Sequence, residues 1–149
     1  MKVLVDTSVL IRSVQKSHPA CRTAREALAA LYRAQHPLYL MPQNVADFWN
    51  VCTRPTDVNG LGLSIEATDN YTRQLEKFFT ILPDSGQVFA AWRSIVVDYA
   101  VRGAKVHDAR LAAAMKVHEL ENILTFNVQD FTRFRFIEAI HPESVGRDT

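Results

Sequence analysis

The sequence predicts an α/β domain built on a mostly parallel sheet of about five strands. Short apolar runs, each too brief for a helix of ordinary length, alternate with helical patterns along the chain. The first run reads Val, Leu, Val with no polar alternation, the pattern of a strand covered on both faces. At 149 residues and 48% hydrophobic, the chain carries enough apolar material for one core, and no linker, repeat or low-complexity stretch divides it.

Strands are expected at residues 2–5, 38–41, 79–82, 123–126 and 136–140. Helices fill the intervals. Ser8 is placed to cap a helix to about residue 15, and residues 21–34 are rich in Ala, Leu and Arg. Residues 43–54 form a helix that ends before Pro55, and Ser64 opens another through residue 77. Asp84 or Ser85 caps a helix to about residue 101, and a last helix spans about residues 107–118. Residues 55–63, with Asn59, Gly60 and Gly62, read as a mobile loop.

Composition excludes several function classes. Lys+Arg 17 against Asp+Glu 16 leaves a formal charge of +1, so the chain is not a generic basic binder. No apolar run approaches the roughly 20 residues of a membrane span, and no basic segment leads a long apolar one. The expected place is the cytoplasm, with no membrane partner. Cys21 and Cys52 stand apart without CxxC or Cys/His spacing, which predicts two reduced, packed thiols rather than zinc or a disulfide.

The acids carry the chemistry. In MKVLVDTSVLI, Asp6 interrupts an otherwise buried segment at the carboxyl end of the first strand, where ligands bind in open parallel sheets. It either projects into such a crevice from a rigid strand or caps the following helix. In KVHDARLAAAMKVHE, Asp108 shares a helical face with Leu111, Ala112 and Met115 and so points inward at the helix N-terminus. In NILTFNVQDFTRF a strand runs out into Asn127 and Asp130. Three converging carboxylates repel one another unless a cation or protons offset them. Hard oxygen donors without His/Cys spacing favour Mg2+ or Mn2+ and phosphoryl or phosphodiester chemistry.

These stretches, VDTSVLI, ADFWNVCTRP, VHDARLAA, ILTFNVQDF and EAIHP, taken in order, resemble the PIN-domain nucleases and within them the VapC-like ribonuclease toxins. The resemblance covers nearly the whole chain and implies a single three-layer α/β/α PIN-like domain over residues 1–149. It maps the family's first and third acids to Asp6 and Asp108 and its C-terminal polar cluster to Thr125, Asn127 and Asp130. Ser8 matches the small hydroxyl residue that orients the first acid or a water. The family's second acid, usually Glu, falls on Asp47, one methylene shorter. On a helical wheel Asp47 projects away from the stripe of Val45, Phe48, Trp49 and Cys52, beside Gln43, Asn50 and Arg54, which leaves a solvated or Arg54-paired surface acid as the competing reading. Many relatives carry an acid where Asn127 stands, and Asp130 then supplies the charge.

The implied activity is metal-dependent hydrolysis of an RNA phosphodiester, leaving 5′-phosphate and 3′-hydroxyl ends. Asp6, Asp108 and Asp130 would hold Mg2+ or Mn2+, and Asp47 would complete the catalytic set. The implied partners are RNA, a cognate VapB-like antitoxin and a second copy in a homodimer. Two readings compete: a PIN domain weakened by Asp47 and Asn127 that binds RNA without cleaving it, and a haloacid-dehalogenase-type phosphatase. The phosphatase would want an acid where Ser8 stands. His107 is expected to cap its helix or support Asp108. Arg12, Lys16, Arg22, Arg25, Arg133 and Arg135, with Phe131, Phe134 and Phe136, are weighed as phosphate and base contacts, although the aromatic residues are more often core.

Overall fold

A computed structural model describes residues 1–146. Strand β1 (Val3–Val5) leads through helix α1 (Thr7–Val14) and α2 (Cys21–Arg33) to β2 (Leu38–Leu40). Then follow α3 (Pro42–Thr53), α4 (Ile65–Phe78), β3 (Thr80–Ile81), α5 (Gly86–Asp98), α6 (Val106–Val117), β4 (Asn122–Leu124) and β5 (Glu138–Ile140). The sheet order is β3-β2-β1-β4-β5. Every pairing is parallel, with Leu4 opposite Tyr39 on one side and Ile123 on the other. The first strand is therefore central, and its three residues are completely buried.

Strand alternation divides the apolar material between two faces. Val3, Val5, Leu40 and Leu124 face a core shared with Leu10, Leu31 and Phe48 from α1, α2 and α3, and with Leu75 from α4. Leu4, Met41 and Ile123 face a second core, with Ile95 from α5 and Leu111, Ala112 and Met115 from α6. The result is an α/β/α sandwich with α1 to α4 on one face and α5 and α6 on the other. The small side chains of Ala109, Ala112 and Ala113, all fully buried, let α6 lie close against its surroundings.

Local chemistry revises several expectations. Ser8 is not the cap of α1, because the helix begins at Thr7 with Asp6 at the cap position. Ser64 does cap α4, its Oγ accepting from the Ala67 N–H at 3.0 Å. Helix α5 stops at Asp98, short of residue 101, and Ala100 takes φ 50° as the chain turns away. The stretch after α3 is a tied loop: Leu61 and Leu63 N–H donate to the Val51 and Cys52 carbonyls at 2.9 and 2.8 Å. A Cβ on Gly60 would lie 1.8 Å from the Arg54 carbonyl oxygen, so this glycine is required by close backbone approach. Phe131 and Phe134 are 1% exposed and belong to the core, not to a base-stacking surface. Cys21 and Cys52 are free and buried. Among the described residues no helix is long and apolar enough to cross a membrane.

Candidate active site

The carboxyl edge of the sheet gathers the acids. Asp6 leaves the central strand with extended backbone at the cap position of α1, yet its side chain makes no capping hydrogen bond. Instead its Oδ2 accepts from Ser8 Oγ at 2.7 Å and from Thr125 Oγ1 at 2.8 Å. Both bonds are charge-assisted and fix the carboxylate. Among the described residues Oδ1 accepts no hydrogen bond, so one oxygen is held by two hydroxyls and the other is not. Behind this pair, the Phe126 N–H donates to Ser8 Oγ and the Asn127 N–H to Thr125 Oγ1, at 3.2 and 2.9 Å. Thr125 is completely buried. The supporting roles expected of Ser8 and Thr125 thus fall on one carboxylate oxygen.

Asp108 sits half-buried in the first turn of α6, on the side that leads into Leu111, Ala112 and Met115. Burial, then the charges of Asp130 and Asp6, push its carboxyl up to about 6, against the opposing pull of Lys105 and His107. Its neighbours confirm that α6, β1 and the segment after β4 bring their acids within electrostatic range. Asp130 closes a 3-10 turn, Val128–Asp130, and pairs with Lys105 Nζ at 3.6 Å. That exposed ion pair is worth little for stability, but it places a cation at the rim. Asn127, exposed, contributes only polarity here.

Asp47 is solvent-exposed, as the wheel predicts, but it does not stand apart from the site. Its carboxyl is raised by partial desolvation first, is lowered by His107, raised again by Asp6 and lowered by Arg110. It lies one turn after Gln43 on the same side of α3, and Gln43 touches α6. The wheel shows which side avoids the apolar core. That same side brings Asp47 within electrostatic range of Asp6, His107 and Arg110.

His107 does not cap α6, since the cap position is Lys105 and no side-chain cap bond forms. Its ring is exposed and acts on Asp47 and Asp108 through charge. Arg12, Arg22 and Arg25 are engaged locally, with Gln15, Glu26 and the Ser13 carbonyl. Sequence reasoning missed Lys105, Arg110, Gln43 and Asn44. Lys105 could have been found from its place three residues before Asp108, at a helix entry. Asn44, completely buried, could have been found as a polar residue three positions after Met41: its Oδ1 accepts from the Met41 N–H at 2.8 Å, closing the start of α3. No spacing rule links Gln43 to Arg110.

Among the described residues no group of three His, Cys, Asp or Glu side chains is arranged to hold a metal ion. The donor set nevertheless fits a hard cation. The acids are oxygen donors, the charge of Asp6 helps raise the proton affinity of Asp47 and Asp108 and that of Asp130 the proton affinity of Asp108, and a hydrated Mg2+ needs only one or two carboxylates.

Fold and crevice define an α/β/α domain with an acidic site at the carboxyl edge of a parallel sheet. The chain belongs to the PIN domain family, whose description matches residues 3–137. No curated protein matches it in sequence. Among solved structures it is similar to a chain of VapBC2 from Rickettsia felis, bound to a DNA fragment from their promoter, with TM-score 0.73 and 11% identity over 95% of this chain and 98% of that one. It is also similar to a chain of FitAcB from Neisseria gonorrhoeae, with TM-score 0.68 and 21% identity over 94% and 97%. A third is VapC20 of Mycobacterium tuberculosis, a sarcin-ricin loop cleaving toxin, with TM-score 0.62 and 15% identity over 82% and 87%. At these identities the likeness is one of fold.

Proposed function

We propose that this chain is a VapC-type PIN endoribonuclease, hydrolysing RNA phosphodiesters with Mg2+ or Mn2+ and acting as the toxin of a toxin–antitoxin pair. The observation that carries it is the convergence of Asp6, Asp108 and Asp130, with Asp47 beside them, where burial and mutual repulsion hold the Asp108 carboxyl near 6. Asp6, Asp108 and Asp130 are the residues that would hold the cation. When bound, it supplies a Lewis acid for a phosphate oxygen and an acidified water.

The chain's own groups do the rest. Ser8 and Thr125 keep Asp6 in one orientation without thermal search. Lys105 and His107 at the rim favour approach of an anionic strand, as do the N-termini of α1, α3 and α6. Asn127 orients the water or the substrate. Water oxygen bonds to phosphorus, the P–O3′ bond breaks and the proton ends on O3′, giving 5′-phosphate and 3′-hydroxyl ends. An antitoxin partner is supported by the VapBC and FitAB complexes among the fold's neighbours. A homodimer in the cytoplasm completes the proposal.

The absence of a ready three-ligand group among the described residues is what favours the second reading, an RNA-binding PIN domain without turnover. Incubating purified protein and Asp6→Asn with structured RNA, with and without Mn2+, separates the two. Metal-dependent cleavage lost in the variant supports the nuclease. Binding without cleavage across a metal series overturns it.

A further inference from the structure

Asp47 and Asp108 are carried by helices on opposite faces of the sheet. Helix α3 is packed in the core of α1, α2 and α4, whereas α6 is packed in the core of α5. Apolar packing therefore fixes each acid relative to the sheet but does not fix one helix against the other. A polar link crosses the sheet edge between them. Gln43 Nε2 donates to the His107 carbonyl at 3.1 Å, and Gln43 Oε1 accepts from Arg110 Nη1 at 2.9 Å. Arg110 Nη2 pairs in turn with Asp84 Oδ2, at the entry of α5, at 3.3 Å. The amide orientation is determined by its partners, since a guanidinium only donates and a carbonyl only accepts.

The adjacent residue ties the same turn the other way. Asn44 Nδ2 donates to Thr7 Oγ1 at 3.4 Å, beside Asp6, while its Oδ1 holds the Met41 N–H. Two consecutive side chains thus join the first turn of α3 to the turn carrying Asp6 and to the turn carrying Asp108. Asp47 follows one helical turn later, on the side of Gln43.

We infer that Gln43 and Arg110 are positioning residues, a clamp between the two helix layers that sets the separation of Asp47 and Asp108 across the crevice. The clamp rests on the nuclease proposal for its effect on turnover. Its structural effect is independent of turnover and is read by cation binding. Neither residue meets the phosphate; each acts through the acids it places. Arginine is required because one planar fork must reach Gln43 and Asp84 together, which a lysine cannot do.

The test compares wild type, Gln43→Ala, Arg110→Lys and Asp47→Asn, with the double variant Gln43→Ala/Asp47→Asn. Mn2+ affinity is measured by calorimetry and RNA cleavage at saturating Mn2+. Losing a supporting contact of this kind lowers metal affinity or turnover roughly ten- to hundredfold. Gln43→Ala and Arg110→Lys should both show such a loss with KM for RNA within about twofold, because the substrate contacts remain. In the Asp47→Asn background, Gln43→Ala should cost much less turnover than alone, since one of the two acids whose separation it sets is already neutral. Wild-type affinity and turnover in both single variants overturn the clamp while leaving the nuclease proposal intact. Full additivity of turnover in the double variant also overturns it, because it makes Gln43 a general stability contact. A wild type that binds Mn2+ but cleaves no RNA overturns the nuclease proposal, and the clamp then stands or falls on the affinities. A wild type that does not bind Mn2+ overturns both.

Discussion

Thr125 Oγ1 donates to Asp6 Oδ2 at 2.8 Å, joining the first strand's terminal acid to a residue 119 positions later. The same hydroxyl accepts from the Asn127 N–H, so one buried side chain both orients the acid and starts the turn towards Asp130.

Thr125→Val should therefore remove orientation and satisfaction together while conserving volume. Cleavage should fall strongly, and thermal stability should drop by about 1–3 kcal/mol because the Asn127 N–H loses its partner. Thr125→Ser, which restores the hydroxyl, should recover most of both. Equal activity in the valine variant would remove Thr125 from the mechanism.

Asp108→Asn should abolish cleavage and raise, not lower, the stability of the metal-free protein at neutral pH. With its carboxyl at about 6 in the fold, against an ordinary 3.8, the folded state holds the proton more tightly than the unfolded chain. The Asp108 contribution is thus fully present below about pH 4 and is lost as pH rises through about 6. Unfolding scans without metal at pH 4 and pH 7 should show wild type losing stability relative to the variant only at the higher pH. A variant less stable at pH 7 would make Asp108 a structural N-terminal acid.

For Asp47, truncation to Ala should lower activity sharply, and Asp47→Glu, which restores the family's usual reach, should keep or raise it. If the residue is only a solvated acid, both changes should be silent, within about 0.5 kcal/mol of stability. Two silent variants would remove Asp47 from the site.

Asp130 and Asn127 separate by charge. Asp130→Asn should raise the Mn2+ concentration needed for half-maximal cleavage, whereas Asn127→Ala should lower the maximal rate at saturating Mn2+. Lys105 adds a check, since Lys105→Ala removes the cation paired with Asp130 and should strengthen Mn2+ binding. The reverse pattern for the first two variants would exchange their roles.

Much of this was legible in the chain. Short apolar runs and helical patterns located the five strands and six helices of the described residues to within a few positions, and Val3, Leu4 and Val5 declared a strand covered on both faces by having no polar alternation. Asp6 was ambiguous because a cap and a crevice acid share the same backbone conformation, and only the side-chain partners decide between them. Residues 55–63 look mobile by composition because Asn and Gly are turn formers, yet their backbone groups bond to the end of α3. Phe131 and Phe134 lie in a basic-aromatic run, but their neighbours in space are the apolar residues of the second core. Gln43 and Arg110 were invisible because nothing in local spacing reports a contact between separate layers.

The central position of β1 also sets when the site comes into being. Asp6 is made almost at once, but β1 pairs on one side with β4, and the Asp6 N–H donates to the Leu124 carbonyl at 2.9 Å. A growing chain that stops before residue 122 has an unpaired edge on its innermost strand and no Thr125 to hold the acid. The ribosome must therefore release nearly all of the chain from its exit tunnel before the acidic crevice exists. A truncated product would emerge without the acidic crevice and prone to aggregate through that open edge.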